Sequence, residues 1–235
     1  SYVTGLDYYK GINEHYMNSS EPVYSINPNP SMLFSSVDCD KYVKLLEEGD
    51  FNKVSDHLMA GISKLVNAGC NYLAIASNTG HIAYQSVKEK YPELNIIHIA
   101  DCIASELKKK SYYDVGLIGT KPTMEQNYLI KRLKLHSINT TVPDSEKDRI
   151  KIYDIICNEL SYNIFKDGSK KSIIQIIEKL MKDNIKSCIS GCTELELLVK
   201  QNDIPNIELI PSAEIHIKYI NEILLGHLDI SDIEP

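Results

Sequence analysis

Apolar runs of strand length alternate with longer amphipathic segments along nearly the whole chain. This alternation is typical of parallel sheets, because parallel strands are buried on both faces and are joined by helical crossovers. We therefore predict an α/β fold with mostly parallel sheets flanked by helices. One of these helices is expected over Thr123–Leu133. The predicted strands are "SMLFSSV" from Ser31, "NYLAIA" from Asn71, "NIIHIA" from Asn95, "YDVGLIG" from Tyr113, "HSINTTV" from His136, "KSCISG" from Lys186 and "IELIP" from Ile207.

Two of these strands run into a similar polar turn followed by a helical pattern. The stretches are "YLAIASNTGHIA" (72–83) and "CISGCTELELLV" (188–199), and their turn residues Ser77 and Cys192 lie 115 positions apart in a chain of 235. This near-half spacing predicts two pseudo-symmetric lobes, residues 1–108 with about 208–235 and residues about 109–207. Ligands of open α/β sheets bind at the carboxyl ends of the strands, so we expect the active site in a cleft between the lobes. Helix N-termini there favour a small anion.

Composition and charge narrow the class of ligand. A net charge of −7 without a clustered basic face argues against nucleic acid and against an anionic membrane surface. No run approaches the roughly 18 apolar residues of a membrane span. Six cysteines at irregular spacing do not resemble a disulfide framework, and we expect a cytoplasmic protein with a small-molecule partner.

Cys192 is the strongest candidate for a reactive side chain. A helix N-terminus stabilises a thiolate, so this position predicts a pKa lowered from about 8.5 toward neutrality. The alternative is a small buried apolar residue, which is the usual fate of a free cysteine. The small neighbours Gly191 and Thr193 favour the reactive interpretation, whereas Cys188 is expected to pack inside the strand.

The remaining candidates lie in the same kinds of turn. His81 follows the Ser77 turn and either orients a bound group or lies exposed at a helix start, while His216 is expected in the core or on the surface. Neither has a metal-ligand spacing with a cysteine, so no metal is expected. The turn "GLIGTKPTMEQ" (116–126) offers hydroxyls at Thr120 and Thr123, but no nucleotide-binding glycine motif occurs. Proton transfer at carbon is one of the few chemistries that such turns can support without a cofactor.

Several of these motifs together resemble those of the aspartate/glutamate racemase family. They are "SNTGH", "GCTELELL", "SSVD" (35–38), "HIAD" (98–101) and "GTKPTMEQ" (119–126), and the likeness begins near "YYKGINEHY" from Tyr8. The resemblance implies a PLP-independent racemase that uses no cofactor and converts a small dicarboxylic amino acid, aspartate or glutamate, between its L and D forms. It also implies two lobes and a homodimer.

The resemblance assigns expected roles to individual residues. Two thiols on opposite faces of the substrate exchange the α-proton in the family, and Cys192 matches the second of them. Asn78, Thr79, Thr120 and Thr193 match positions that bind substrate. Supporting roles are left open for His81, Glu125, Glu194 and His216. The cation for the distal carboxylate is not identified; the possibilities are Arg132, Arg149, Lys121, Lys166 and Lys170.

Ser77 stands where the resemblance implies the first thiol. A serine hydroxyl is a far weaker acid than a thiol and gives no alkoxide near neutral pH without an activating partner. Three explanations are open: a natural one-thiol subtype biased in handedness, an engineered cysteine-to-serine change, or a protein that has lost racemase activity. The open alternative functions are a related decarboxylase, hydantoin racemase or maleate isomerase, and a small-anion binding protein. The family's opening strand and Gly-Gly-Met-type turn are expected to precede the sequence given.

Overall fold

The computed structural model describes residues 2–19, 28–181 and 185–235. They divide into two compact units. The first unit contains the described residues up to Ala76, together with Gly80–His98 and Ile217–Asp232; the second contains Ser77–Thr79, Ile99–His216 and Ile233–Pro235. The lobe boundaries expected near residues 108 and 208 stay a prediction.

Helices and strands alternate through most of the described chain, as the sequence pattern predicts. The elements are α1 (Tyr2–Ser19), α2 (Cys39–Glu47), α3 (Phe51–Asn67), β1 (Tyr72–Ala74), α4 (Tyr84–Lys90), β2 (Asn95–Ile97), α5 (Ile99–Lys109), β3 (Asp114–Gly119), α6 (Lys121–Glu125), α7 (Asn127–Leu135), β4 (Asn139–Thr141), α8 (Glu146–Asn158), α9 (Asp167–Leu180), β5 (Ser187–Gly191), α10 (Thr193–Leu198), β6 (Glu208–Pro211) and α11 (Ser212–Leu224). A 3₁₀ turn over Thr79–Ala83 precedes α4.

The first unit contains a two-stranded parallel sheet formed by β1 and β2. Leu73 pairs in register with Ile96, and both side chains are buried against Ile62 of α3 and Val87 of α4. Asp50 is the N-cap of α3, and its carboxylate accepts a hydrogen bond from the Lys53 N–H at 3.1 Å. It is followed by Gly69 at φ 90°, a left-handed conformation that glycine adopts without strain.

The strand predicted from Ser31 is wrong. Residues 28–38 form no helix or strand, and the side chains of Leu33 and Phe34 are each 55% exposed. The segment lies against helices: Phe34 packs over Gly5 of α1, and Val37 lies beside Gly61 of α3. Because a helix offers no free backbone ladder, an apolar run packed on helices has no partner with which to form a strand.

The second unit contains a four-stranded parallel sheet in the order β4-β3-β5-β6. Its core consists mainly of isoleucine and leucine side chains from the sheet and from the helices that cover it, including Ile118, Ile155, Ile177 and Leu195. The predicted α/β class, with parallel sheets flanked by helices, is therefore confirmed. No helix of the described residues is both long and apolar enough to cross a membrane.

The single helix expected over Thr123–Leu133 is instead two helices, α6 and α7. Gln126 separates them with an extended backbone (φ −93°, ψ 152°), and Pro122 lies in the first turn of α6, where its missing N–H costs no helical hydrogen bond. Because α6 begins two residues earlier than expected, Thr120 becomes its N-cap and the Thr123 side chain lies within its first turn.

Candidate active site

Polar side chains gather at the carboxyl ends of β3, β5 and β6 in the second unit. The short segment Ser77–Thr79, which follows β1 in sequence, belongs to this unit through its contacts. Two groups of hydrogen bonds connect this segment to the strand ends. One is a cluster of hydroxyls beyond β3, and the other is centred on Ser212 beyond β6.

The hydroxyl cluster consists of Thr79, Thr120, Thr123 and Tyr128. Thr79 Oγ1 lies 2.9 Å from Thr120 Oγ1 and 3.3 Å from Thr123 Oγ1, and the last two atoms are 3.0 Å apart. The Tyr128 hydroxyl lies 3.0 Å from Thr123 Oγ1. Burial raises the pKa of Tyr128, so its phenol stays protonated. The cluster is therefore a set of neutral hydroxyls whose protons can rotate to suit a ligand.

Two glycines allow the strand ends to approach this cluster. Gly119 of β3 and Gly191 of β5 are register partners. A Cβ on Gly119 would lie 2.8 Å from the Gly191 carbonyl oxygen, and a Cβ on Gly191 would lie 2.9 Å from the Ile118 carbonyl oxygen. Each would also meet Thr123 Cγ2 at 3.0 Å. Any side chain at these two positions would push the strand ends and Thr123 apart.

Alanine at either glycine should therefore destabilise the protein. We expect Gly119→Ala and Gly191→Ala each to lower the free energy of unfolding by about 1–3 kcal/mol, the usual range for overpacking. The matched control is Gly168→Ala in α9, where a Cβ meets nothing within 4 Å. That change should be neutral or slightly stabilising, because alanine is the better helix former. Urea unfolding measures all three, and an unaltered midpoint for both strand variants would contradict the expected overpacking.

Cys192 lies immediately after β5, at the N-cap of α10, and is 7% exposed. Its thiol donates a hydrogen bond to Glu194 Oε2 at 3.0 Å, and the Thr193 hydroxyl donates to the same oxygen at 2.8 Å. Glu194 is itself buried. The arrangement is a thiol and a carboxylate held together away from water, with a second donor stabilising the carboxylate.

The prediction of a lowered Cys192 pKa is wrong. Burial raises the pKa of Cys192 well above its ordinary value, and the charge and hydrogen bond of Glu194 raise it further. The N–H groups of Glu194 and Leu195 lower the pKa, as the helix start predicts, but they are outweighed. Without a ligand, Cys192 is accordingly a protonated thiol.

This protonation state predicts the order in which the cysteines react with iodoacetamide. Only thiolates react, so exposed Cys39 should be modified first and Cys192 should be modified late, after the half-buried Cys70 and Cys157. A Cys192 pKa lowered toward neutrality, as the helix start alone predicts, would give the opposite order, with Cys192 ahead of Cys70 and Cys157. Peptide mapping by mass spectrometry gives the order.

The variant Glu194→Gln tests the cause of this slow reaction. Removing the carboxylate should lower the pKa of Cys192, so its alkylation should become faster while that of Cys39 stays unchanged. If Cys192 of the unaltered protein reacts as fast as Cys39, the raised pKa is contradicted.

Ser212 is the centre of the second group of hydrogen bonds. Its hydroxyl donates to the Ser190 carbonyl oxygen at 2.6 Å, accepts from Asn78 Nδ2 at 2.8 Å and lies 3.2 Å from Glu196 Oε1. The Ala213 N–H also donates to Glu196 Oε1, at 3.0 Å. Asn78 is 3% exposed, and within the described part of the chain no hydrogen-bond partner faces its buried Oδ1.

The other predicted residues lie elsewhere. His81 belongs to the first unit and is buried, with its ring centroid 4.3 Å from that of buried His98, so the exposed alternative is wrong. His216 lies in the core, fully buried on α11. Glu125 pairs with Arg149 at 2.9 Å near the surface. The described residues contain no cluster of histidine, cysteine and carboxylate side chains able to hold a metal ion.

Most cations considered for the distal carboxylate already have acidic partners. Arg132 makes two hydrogen bonds to buried Asp101, at 2.8 and 2.7 Å. Lys166 and Lys170 pair with Glu159 and Asp203, Arg149 pairs with Glu125, and Lys121 is exposed. None of these cations is among the hydrogen-bond partners described above for the two groups at the strand ends.

Sequence reasoning missed Tyr128, Glu196 and Ser212. Ser212 directly follows the last predicted strand, and that position was a usable signal because the carboxyl ends of parallel strands share one edge. Tyr128 and Glu196 carried no such signal, since their helices were expected to present them as ordinary amphipathic positions. Their contacts depend on how α7 and α10 pack.

Comparison with known proteins places this fold in a family. The family model described as Asp/Glu/Hydantoin racemase matches residues 2–220. A glutamate racemase from Hydrogenobaculum sp. (strain Y04AAS1) is 28% identical over 167 residues, which cover 68% of this chain and 61% of that relative. The match thus extends over less than two thirds of that relative's length.

Two solved structures resemble the chain over almost its full length. A candidate Asp/Glu racemase from Yersinia pestis is 28% identical with a TM-score of 0.82, and the match covers 96% of this chain and 95% of that one. An aspartate racemase homologue from Pyrococcus horikoshii OT3 is also 28% identical, with a TM-score of 0.76 and 95% of both chains covered. The resemblance seen in the sequence motifs is confirmed: this chain belongs to the Asp/Glu/hydantoin racemase family.

Proposed function

We propose that the protein is a cofactor-independent racemase of aspartate, glutamate or both, which transfers the α-proton between Cys192 and the group at position 77. The observation that carries this proposal is the buried contact of 3.0 Å between the Cys192 thiol and the Glu194 carboxylate. A thiol with a proton acceptor at hydrogen-bond distance can become a thiolate without proton release to water. Family membership supports amino-acid racemisation as the reaction class.

In the proposed reaction Cys192 and Glu194 act as a pair. Glu194 Oε2 accepts the thiol proton, and the resulting thiolate removes the α-proton of the substrate, leaving the electron pair on the α-carbon. A proton delivered to the opposite face by the Ser77 hydroxyl completes the inversion. Before the next turnover the Ser77 oxygen takes up a proton and Glu194 gives one up, each by exchange with water. In the reverse direction Cys192 is the acid and delivers its proton to the α-carbon. Thr193 stabilises the charged form of Glu194 through its hydrogen bond of 2.8 Å.

Asn78 and the threonine hydroxyls are the proposed substrate-binding groups. A buried acceptor without a partner costs about 1–3 kcal/mol, and Asn78 Oδ1 is such an acceptor among the described residues. The ammonium group of an amino acid would satisfy it. The hydroxyls of Thr79 and Thr120 are proposed to donate to the substrate carboxylates, whereas the Thr193 oxygen, whose proton is directed at Glu194, is proposed to accept from the substrate's ammonium group. His81, Glu125, Glu194 and His216 keep supporting roles in the proposal, and Glu194 has the most specific one.

A second candidate function is the binding of a small anion without turnover. It is favoured by the serine at position 77 and by the raised pKa of Cys192, since both leave the ligand-free protein without a thiolate. A related hydantoin racemase, decarboxylase or maleate isomerase would use the same turns with a different substrate. A hydantoin racemase would break the same kind of α-carbon–hydrogen bond in a different substrate, whereas a decarboxylase would break a carbon–carbon bond.

Exchange of the α-proton in D2O separates these functions. The protein is incubated with each enantiomer of aspartate and glutamate, and loss of the α-proton signal is followed by NMR while polarimetry follows racemisation. The proposed racemase exchanges the proton of at least one enantiomer, whereas an anion binder gives binding heat in calorimetry without exchange. A hydantoin, a maleate and a malonate-type acid in the same assay test the related reactions. Exchange with none of the four amino acids would contradict the proposal.

Assembly and location belong to the same proposal. We propose a homodimer, as the family resemblance implies, and sedimentation that gives a stable mass of one chain would contradict it. A reducing cytoplasm suits a protein whose six cysteines are free. Neither nucleic acid nor a membrane is a proposed partner, because the charge is acidic overall.

A further inference from the structure

Glu196 is a partly buried carboxyl group that the proposed reaction does not use. It lies on α10, two residues beyond Glu194, and its Oε1 faces the backbone N–H of Ala213 and the hydroxyl of Ser212. A carboxyl group that is largely shielded from water favours its neutral form unless charged partners compensate. Its surroundings therefore decide whether it carries a charge.

The Ser212 hydroxyl has one proton and two neighbouring acceptors. The Ser190 carbonyl oxygen at 2.6 Å is much closer than Glu196 Oε1 at 3.2 Å. Ser190 is the register partner of Pro211, which has no N–H to offer to the ladder. The proton of Ser212 is therefore directed at Ser190.

This direction of the Ser212 proton fixes the orientation of the Asn78 side chain. Because the hydroxyl donates elsewhere, the atom of Asn78 that meets it at 2.8 Å has to be a donor, which is Nδ2. The carboxamide oxygen then points away from Ser212. This is the same Oδ1 that lacks a partner among the described residues.

An ionised Glu196 would disturb this arrangement. A carboxylate is a stronger acceptor than a neutral acid, so it would compete with Ser190 for the single proton of Ser212. If the proton turned toward Glu196, two oxygen lone pairs would face each other across 2.6 Å between Ser212 and Ser190. Ser212 would have to move, and Asn78 would lose its fixed acceptor.

We infer that Glu196 is a positioning residue. In its neutral form it leaves the Ser212 hydroxyl free to donate to the Ser190 carbonyl oxygen, and this holds Asn78 Oδ1 in place for the substrate's ammonium group. Loss of the Glu196 proton to solvent releases Asn78 and weakens substrate binding. The role in binding rests on the proposed function, whereas the coupling of Glu196 to Asn78 does not.

The electrostatic surroundings agree with a neutral Glu196 near neutral pH. Burial raises the pKa of Glu196 to about 8, and the charge of Glu214 on α11 raises it as well. The hydrogen bond from Ala213 lowers the pKa, as does the Ser212 hydroxyl, which can turn toward the ionised carboxylate, and so does the charge of Lys200 beyond the end of α10. Ionisation should therefore occur on the alkaline side of neutrality.

The coupling is tested by NMR without any substrate. The Asn78 side-chain NH2 signals are assigned by their loss in Asn78→Ala and followed from pH 6 to pH 10. In the unaltered protein the chemical shifts of these signals should change with a midpoint near pH 8, because burial raises the pKa of Glu196 to about 8. The shift should be absent in Glu196→Gln, which keeps an acceptor for Ala213 but cannot ionise. Glu214→Gln is the control, because it removes a nearby charge without touching Ser212 and should retain the shift.

The role in binding is tested by the pH dependence of α-proton exchange. The KM of the unaltered protein should rise about tenfold relative to that of Glu196→Gln between pH 7 and pH 9, as expected when the competent form becomes the minor one. Titration of Cys192 and of the substrate occurs in both proteins, so its effect cancels in the ratio of their KM values. The kcat values of the two proteins should differ little.

Each outcome has a distinct meaning. An Asn78 signal that does not titrate, or that titrates equally in Glu196→Gln, overturns the inference whatever the activity. A titrating signal with a flat KM ratio overturns the role in binding. Absence of exchange with every amino acid contradicts the proposed function instead, and the NMR result still decides the coupling. Should Glu196→Gln not fold, Ser212→Ala serves as the second variant, and persistence of the shift there overturns the inference.

Discussion

Replacing Cys192 with alanine should abolish exchange of the α-proton with both enantiomers of aspartate and glutamate. Cys192 is the thiol in contact with Glu194, and a positioned acid or base typically contributes about 10²–10⁴-fold to the rate. A methyl group can neither remove a proton from the α-carbon nor deliver one. The fold should survive, because the side chain is small and lies at a strand end rather than deep in the sheet.

The control for this variant is Cys188→Ala in the same strand. Cys188 is also buried, and burial raises its pKa to about 12, so it has no expected role in proton transfer. That change should lower the free energy of unfolding slightly and leave exchange intact. Exchange by Cys192→Ala at more than a few per cent of the unaltered rate would show that another group is the base.

Replacing Ser77 with cysteine should accelerate one direction of the reaction at least about tenfold, which corresponds to about 1.4 kcal/mol of barrier. A thiol with a pKa of about 8.5 exchanges protons far more readily than a serine hydroxyl. In the unaltered protein, removal of the α-proton on the Cys192 side should thus be fast and removal on the Ser77 side slow. Exchange in D2O should be rapid for one enantiomer, and racemisation should lag behind it.

The fast direction should change little in Ser77→Cys, because its base is still Cys192. Ser77→Ala is the matched comparison: it should slow the weak direction further and leave exchange on the Cys192 side nearly unaltered. The equilibrium between enantiomers stays at unity in every variant, so only rates and the preferred enantiomer change. Equal exchange rates for both enantiomers in the unaltered protein, or no gain from the cysteine, would contradict the assigned role of Ser77.

Glu194 gives both predictions a common physical basis. The raised pKa of Cys192 means that a thiolate forms only when its proton can move to a nearby acceptor. Glu194 is that acceptor in the proposal. Its carboxylate disfavours a Cys192 thiolate in the ligand-free protein, and the same carboxylate would hold the proton after transfer. The serine hydroxyl at position 77 is a far weaker acid than a thiol, and for this reason protons should be exchanged at unequal rates on the two faces of the substrate.

Local sequence pattern was enough to predict most of the parallel strands. The apolar runs that became β1, β2, β3, β5 and β6 are bounded by polar turns, and burial of both strand faces requires such runs. The candidate residues Thr120 and Cys192 were recognisable for the same reason, since they follow β3 and β5 directly, whereas Asn78 and Thr79 were assigned through the family resemblance. The run from Ser31 failed because a strand also needs a partner, and that segment lies against helices.

Tertiary structure decided the chemical state of the site. The short sequence distance between Cys192 and Glu194 did not reveal that both side chains are buried and in contact, and burial reverses the effect of the helix start on the thiol. Ser212 lies 134 positions from Asn78 in sequence, yet their hydrogen bond orients the carboxamide. Strand propensity and turns are local properties and can be read along the chain. Protonation states and hydrogen-bond partners depend on which distant groups exclude water, and only packing determines that.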